Sequence, residues 1–370
     1  MSATPAPPAP PQPAYILRGH QSPINTLTFL CRNTLLATAD ASGICVLWRL
    51  STRRPIAVWA AHNTSILAVS EWRSKDRSDS RLITHGRDNK LRVWKIPREE
   101  DGVATMLPAE GEVNGKAPWL VVSMEVNTLN FCGFGMCQLP TTDAEGDYND
   151  ILIAVPSVLN SQAVDIFQLP STQRVHTRIN ATATTGMAMA LQLSSINDAL
   201  TLVAGYESGH VVVFRLRDGN WEETYSAQSH SQPVLSLALA PDATYFLTTS
   251  ADSLVVRHPT AEGEVRKVDT RHAGLQSVAI RSDGKLFATA GWDGKFRVFS
   301  TKGRMKELAV LKWHTEGCYA VGFAEVLGEG EQQGEMAVET VEEARVKRET
   351  GRHWIAGGAK DGRVSLWDLF

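Results

Sequence analysis

Phe287-Ala288-Thr289-Ala290-Gly291-Trp292-Asp293-Gly294-Lys295-Phe296-Arg297-Val298-Phe299 is a short apolar run, an Asp-Gly turn and an alternating run that closes on an aromatic ring. That is the pattern of a β-hairpin. The same spacing recurs in Arg87-Asp88-Asn89-Lys90-Leu91-Arg92-Val93-Trp94 and in Lys360-Asp361-Gly362-Arg363-Val364-Ser365-Leu366-Trp367, each with an Asp six residues before the closing aromatic. Self-similarity of this kind has to be read before any single element, because it decides the architecture.

Working outward, strand-like runs at 24–29, 35–39 and 43–48 make a first unit, with a fourth run at 55–60. Runs at 66–72, 81–85 and 88–94 make a second. A third unit takes 119–125, 128–133, 151–155 and 161–167. A fourth takes 186–193, 200–205 and 208–214. The fifth opens at His230, the sixth at His272 and the seventh at His314. The closing positions are Trp48, Trp94, Phe167, Phe214, His258, Phe299 and Trp367, spaced 46, 73, 47, 44, 41 and 68 residues apart. Four gaps match the period of about 40–45 residues expected of a four-stranded propeller blade. The two long gaps hold insertions.

The repeats resemble the WD-repeat family, which implies an all-β, seven-bladed WD40 β-propeller. In that family a His, a Ser or Thr, a turn Asp and the closing Trp form a buried hydrogen-bond network. The resemblance assigns His20, Thr38 and Trp48 to blade one, with Ser42 where the Asp belongs. It assigns His62, Thr84, Asp88 and Trp94 to blade two, and His230, Thr248 and Asp252 to blade five, with His258 at the Trp position. Blade six receives His272, Thr289, Asp293 and Phe299. Blade seven receives His314, Asp361 and Trp367, with Ala356 at the Ser/Thr position. Blades three and four carry Ser161 and Ser208 at the Asp position and no matching His, so apolar packing holds them; losing both partners together avoids a half-satisfied network. His-Asp pairs repeated around a ring are a structural device, since one catalytic centre needs one constellation.

The last blade reaches Phe370 directly after its third strand, and Tyr15-Ile16-Leu17 is a strand with no blade of its own. Pairing the two closes the ring and covers an edge that would otherwise recruit other chains. Deleting residues 1–12 is therefore expected to be tolerated and deleting 1–19 to destabilise the domain. Residues 1–14 form a Pro/Ala-rich tail, disordered because six of the nine residues from 5 to 13 are proline and supply no ladder donors. The propeller takes 15–370, with exposed insertions at about 97–118, 139–150 and 328–352. The last insertion is acidic and reads as a solvated loop with a helical turn or two at 339–348.

A net charge of −3 and a pI near 6.4 give no general nucleic-acid or anionic-membrane surface. No run of 18 apolar residues and no signal peptide is present, so the chain is expected inside the cell. Five cysteines are an odd, scattered set without zinc spacing, and are read as structural thiols. No phosphate loop, zinc-protease motif or nucleophile elbow occurs in a plausible context. The expectation is a non-enzyme without cofactor, metal, small-molecule, nucleic-acid or membrane partner.

What remains is a disc whose loops bind proteins. Among residues preceding the Asp position, Trp292 is the strongest partner-binding candidate, framed by Arg87 and Lys360, because Trp and Arg dominate binding hot spots. Tyr206 and Glu207 are secondary candidates. A fuller pattern comprises the proline-rich start with Tyr15-Ile16-Leu17-Arg18-Gly19-His20, Gly43-Ile44-Cys45-Val46-Leu47-Trp48, Leu129-Asn130-Phe131-Cys132 and Ile355-Ala356-Gly357-Gly358-Ala359-Lys360-Asp361. This resembles the fungal ASTRA-associated protein 1 family, akin to the animal G-protein β-subunit-like protein 1. The resemblance implies a scaffold in a multi-subunit nuclear complex, with the cytoplasm as a second location, containing a kinase-like scaffold, TTT cochaperones and AAA+ ATPases. It implies roles in chromatin regulation and in maturation of phosphatidylinositol-3-kinase-like kinases. The alternatives are a ubiquitin-ligase substrate receptor, disfavoured by the absence of Trp-Asp-x-Arg endings, and a histone or peptide reader. A heterotrimeric G-protein β subunit is disfavoured, since the sequence lacks the long N-terminal helix that pairs with the γ subunit.

Overall fold

Strands buried on both faces read as near-continuous apolar runs, and Ile151–Pro156, buried at every position, is one such run. A computed structural model shows how those runs are stacked. It describes residues 11–75, 79–108, 113, 115–127, 131–139, 148–328 and 340–369. Most of the Pro/Ala-rich tail, 1–10, lies outside the described residues, as do most of the 139–150 and part of the 328–352 insertions.

After β1 (Tyr15–Arg18), blade one holds β2 (Ile24–Leu30), β3 (Leu35–Asp40), β4 (Ile44–Arg49) and β5 (Arg54–Ala60). Blade two holds β6 (Ile66–Arg73), β7 (Ser80–Gly86), β8 (Lys90–Lys95) and β9 (Leu120–Glu125). Blade three holds β10 (Gly135–Gln138), β11 (Ile151–Pro156), β12 (Val164–Leu169) and β13 (Gln173–Ile179). Blade four follows with β14 (Ala188–Ile196), β15 (Ala199–Tyr206), β16 (His210–Arg217) and β17 (Asn220–Gln228), and blade five with β18 (Val234–Leu239), β19 (Tyr245–Ser250), β20 (Leu254–Pro259) and β21 (Arg266–Asp269). Blade six has β22 (Leu275–Ile280), β23 (Leu286–Gly291), β24 (Lys295–Ser300) and β25 (Glu307–Lys312). Blade seven has β26 (Cys318–Phe323), β27 (Trp354–Ala359) and β28 (Arg363–Asp368). Each blade is a four-stranded antiparallel meander, and the fourth strand of blade seven is β1. Tyr15 pairs with Leu366 and Arg18 with Arg363, so the N-terminal strand closes the ring of a seven-bladed β-propeller.

The core is a set of seven apolar clusters, one at each seam between neighbouring blades. At the seam of blades seven and one, Leu17, Ile24 and Trp48 meet Trp354 and Leu366. At the seam of blades six and seven, Phe296 and Val298 meet Ile355 and Trp367.

Blade three differs from the sequence reading. The run at 119–125 is the outer strand of blade two, separated from β8 by the insertion, and the inner strand of blade three begins only at Gly135. Thr128 to Asn130 lie outside the described residues, and no strand covers 131–133. The insertion at 97–118 is not simply exposed. Val58 donates to the Ala104 carbonyl, and Leu107 packs beneath Gly19 in the seam of blades seven and one.

The described end of the 328–352 insertion also has a place. Residues Val341–Thr350 form a helix, α1, opened by a capping box between Thr340 and Glu343. Its Glu349 is buried and paired with Arg53 at 3.2 Å, and the Asn33 side chain donates to the carbonyls of Glu325 and Thr350. Arg53 also stacks over the Tyr15 ring of β1. One guanidinium of blade one thus ties down both the closing strand and the helix from blade seven.

Candidate functional site

The His-Thr-Asp-Trp positions determine how rigidly each blade holds its loops. In blade one, the Trp48 indole donates to Thr38 Oγ1 at 2.9 Å, and Thr38 meets His20 Nε2 at 2.7 Å. His20 Nδ1 meets Asp40 at 2.7 Å. Asp40, not Ser42, is therefore the acid, and Ser42 donates to it through both its backbone N–H and its hydroxyl. Asp40 lies two residues after Thr38 on the same face of the strand, within reach of the same imidazole.

Blade two assembles His62, Thr84, Asp88 and Trp94 at 2.8–2.9 Å, with the Arg92 guanidinium adding a further hydrogen bond to Asp88. Burial tends to raise the Asp88 carboxyl, but the His62 hydrogen bond and Arg92 hold it below the usual carboxylate range. In blade five, His230 bridges Asp252 and Thr248, and His258 replaces the Trp by meeting Thr248 at 3.1 Å. Burial, aided by the nearby His230, holds His258 down to about 3. In blade seven the hydroxyl comes from the third strand: His314 bridges Asp361 and Ser365, and Trp367 donates to Ser365. The register shows why. Ser365 faces Gly357, so Gly357 rather than Ala356 occupies the Ser/Thr position, and a Cβ there would strike the Phe296 ring.

Blade six, whose motif looked complete, does not form the network. His272 is exposed and 3.7 Å from Asp293, and Thr289 Oγ1 is buried without a partner. Arg297 makes two hydrogen bonds to Asp293 at 2.7 and 3.1 Å, and Phe299 stacks on Phe287 at 4.8 Å. Burial again opposes ionisation of Asp293, and Arg297 with Lys295 outweighs it. Blades three and four use local bonds, such as Ser208 to His210 at 2.8 Å.

The loops held this way surround one end of the central channel. In six blades the second residue of the inner strand is a bulge: Asn25, Leu67, Met189, Leu235, Gln276 and Tyr319. A bulge re-aims its side chain, and all six line the channel with Phe131 of blade three, around a cavity of about 200 Å³. The cavity wall is mostly polar, with Asn25 and Gln276 beside Leu67, Met189 and Leu235, and Phe131 is 64% exposed.

Trp292 stands at this mouth. It is 48% exposed, its indole N–H donates to Gln276 Oε1 at 2.8 Å, and its ring lies on Gly274. Gly274 has φ +84, and a Cβ there would fall 2.2 Å from the indole. The tryptophan is thus fixed by one polar tether and one close backbone approach while presenting half its surface. Lys360 pairs with Glu316 at 3.6 Å, beside the Gly317 backbone that abuts Trp292. Arg87 does not frame Trp292: its guanidinium lies over Phe131 at 4.2 Å, three blades away around the ring. Glu207 is exposed and accepts from the Met187 N–H at 3.3 Å. Tyr206 is not a surface residue; it is buried in the seam of blades three and four.

Sequence reasoning missed the bulged ring and Phe131. The available signal was a repeated position, one residue into each inner strand, that breaks strand alternation. A polar cavity flanked by the exposed rings of Phe131 and Trp292 suits recognition of a protein segment through side-chain hydrogen bonds and aromatic anchors. Among the described residues no group of three or more His, Cys, Asp or Glu is placed to hold a metal ion. All five cysteines are free, and burial with the Glu71 charge pushes even the partly exposed Cys31 up to about 11.

Comparison with known proteins places this face in a family. The sequence model describing ASTRA-associated protein 1 matches residues 13–316. The chain is 42% identical to the ASTRA-associated protein 1 of Verticillium alfalfae, covering 98% of this chain and 94% of that protein. It is 41% identical to that of Aspergillus flavus over 98% of both chains. The Schizosaccharomyces pombe protein of the same name is 29% identical over 97% of this chain and 99% of its own length. A family model that matches most of the chain, and relatives more than 40% identical over nearly all of it, settle the kinship: this chain belongs to the ASTRA-associated protein 1 family.

Proposed function

We propose that this protein is a non-catalytic scaffold subunit of an ASTRA-like nuclear assembly and docks a segment of another subunit at the channel mouth. The observation that carries the reading is the joint one of 41–42% identity over nearly the whole chain to proteins named for ASTRA association and a tethered, half-exposed Trp292 beside the bulged channel ring. The partners are a kinase-like scaffold, TTT cochaperones and AAA+ ATPases. The outcome is maturation of phosphatidylinositol-3-kinase-like kinases and regulation of chromatin, with the protein acting in the nucleus and, in part, the cytoplasm. The His-Asp pairs support the scaffold role because each is held in a network repeated from blade to blade.

The test is affinity purification of the tagged full chain, wild type against Trp292→Ala and Leu67→Asp, with mass spectrometry of what is retained. Wild type should recover the cochaperones and ATPases, and both variants should retain less than a tenth of that amount at unchanged melting temperature. Recovery of ubiquitin-ligase components or histones instead, or full retention by both variants, would replace this reading.

A further inference from the structure

The outermost strand of each blade presents an unpaired edge, and natural sheets blunt such edges with charge, proline or cover. This chain does so at six of seven. Strand β5 carries Arg54 and Pro55 and is covered by Ala104 of the insertion. Strand β13 carries Arg174 and Arg178, β17 Glu222 and Glu223, β21 Arg266, Lys267 and Asp269, and β25 Glu307 and Lys312; the short β1 ends on Arg18. The exception is β9, Leu-Val-Val-Ser-Met-Glu, whose one charge is its last residue, Glu125. Trp119 before it is 75% exposed, Leu120 41% and Val121 36%.

The same edge borders a groove of about 600 Å³ lined by Val103, Pro118 and Trp119, with Lys95 and Lys116 on its rim. The groove's one carboxylate, Asp101, already accepts a hydrogen bond from the Arg98 N–H. Two lysines against that one carboxylate leave the lining with a net charge of +1 (two minus one). The insertion is folded back on itself here, with Ala104 donating to the Lys116 carbonyl, so it covers the edge of blade one, and among the described residues no strand pairs with the outer edge of β9.

We propose that β9 and the Trp119 groove are a second docking site, distinct from the channel mouth, that takes an extended apolar segment flanked by acidic residues from another protein. The segment adds a fifth strand to blade two through main-chain hydrogen bonds, its apolar centre covers Trp119, and its carboxylates meet Lys95 and Lys116. Strand addition supplies affinity from the backbone and specificity from alternate side chains. The charge pattern selects the sign of the flanks.

The probe is a synthetic nonapeptide with a Val-Leu-Val centre flanked by glutamates, with a lysine-flanked counterpart and a backbone N-methylated version. Titration calorimetry and amide hydrogen exchange of the full chain are the readouts. The glutamate peptide should bind and slow exchange across residues 119–125. The lysine and N-methylated peptides, and the Trp119→Ala and Lys95→Glu variants, should each weaken binding at least tenfold. Both substituted side chains are exposed, so the melting temperature should hold, and Val121→Lys provides an independent block of the edge. Equal binding of both charge types, tight binding of the N-methylated peptide, or no binding would each overturn the proposal. So would a peptide-free dimer that Trp119→Ala dissolves, which would make the occupant a second copy of this chain.

Discussion

Blades one and six invert each other. Blade one lacks the turn Asp of the repeat yet has the most completely buried network in the ring; blade six has the His, Thr and Asp of the motif, with Phe299 for the Trp, and no network. The difference comes from reach. In blades one, two, five and seven the His stands four residues before its inner strand; in blade six His272 stands three before Leu275. The shortened loop carries the imidazole into solvent, and Arg297 from the neighbouring strand reaches Asp293 instead. A motif records which groups are available, while loop length decides whether they meet.

Asp40→Asn should break this contrast most severely. Asp40 is inaccessible and accepts from the Ser42 and Ile44 backbone and from the Ser42 hydroxyl besides pairing with His20. Asn puts an amide NH2 where a carboxylate oxygen accepts from these donors, and each buried polar group left unsatisfied costs about 1–3 kcal/mol, so urea unfolding should show a loss of about 3 kcal/mol. Ser42→Ala should cost about 1 kcal/mol, one hydrogen bond. Equal losses for the two would return the role of the acid to Ser42.

Acid should be the next largest perturbation. Unfolded histidine protonates near pH 6.5, whereas buried, partnerless His85 and network-bound His258 stay neutral down to about 3. Between those limits the unfolded chain binds more protons, so stability is lost as pH falls from about 6.5. Each histidine contributes a slope of at most about 1.4 kcal/mol per pH unit. Depressed Asp88, Asp293 and Asp361 add their loss only below the usual carboxylate range. His85→Phe should flatten the profile above pH 4; an unchanged slope would show that His85 is solvated in the folded state.

The same substitution placed in both blades gives the sharpest test. Thr38→Val removes the hydroxyl that joins Trp48 to His20 and leaves both unsatisfied, which costs about 2 kcal/mol. Thr289→Val removes a buried hydroxyl that already has no partner, so it should be neutral or stabilising. Matching losses would mean that blade six closes its network in solution.

These particulars mark how far the sequence could be read. The turn Asp and closing aromatic recur at fixed spacing because each blade must bury the same seam, so seven blades and ring closure by residues 15–17 were legible. Insertions hid the rest. The 24 residues between β8 and β9, 96–119, detach an outer strand from its blade, and the sequence pattern places that strand in blade three. Local patterning cannot distinguish the last strand of one meander from the first of the next. At the site, Trp292 was legible as a large aromatic on a tight turn. The channel ring was not, because a bulge is a register event between two strands and leaves no composition of its own. Tyr206 was misread for a related reason: the position that bears Asp40 in blade one points into a seam, where blade four has a ring in place of a charge.

The smallest expected effect is the most discriminating. His272→Ala should change stability by no more than about 0.5 kcal/mol, as for a surface residue, because the side chain is exposed and its carboxylate is already held by Arg297 and Lys295. His20→Ala, by contrast, leaves Asp40 buried with its imidazole partner gone and should approach the loss seen for Asp40→Asn. If His272→Ala instead destabilised by more than about 1 kcal/mol, its imidazole would have to reach Thr289 in solution. The three-residue loop would then not be the determinant. A near-zero result would leave Trp292 on a turn fixed by Arg297–Asp293 and by Gly274, so that the partner binding proposed for it is separable from the histidine that the repeat pattern pairs with it.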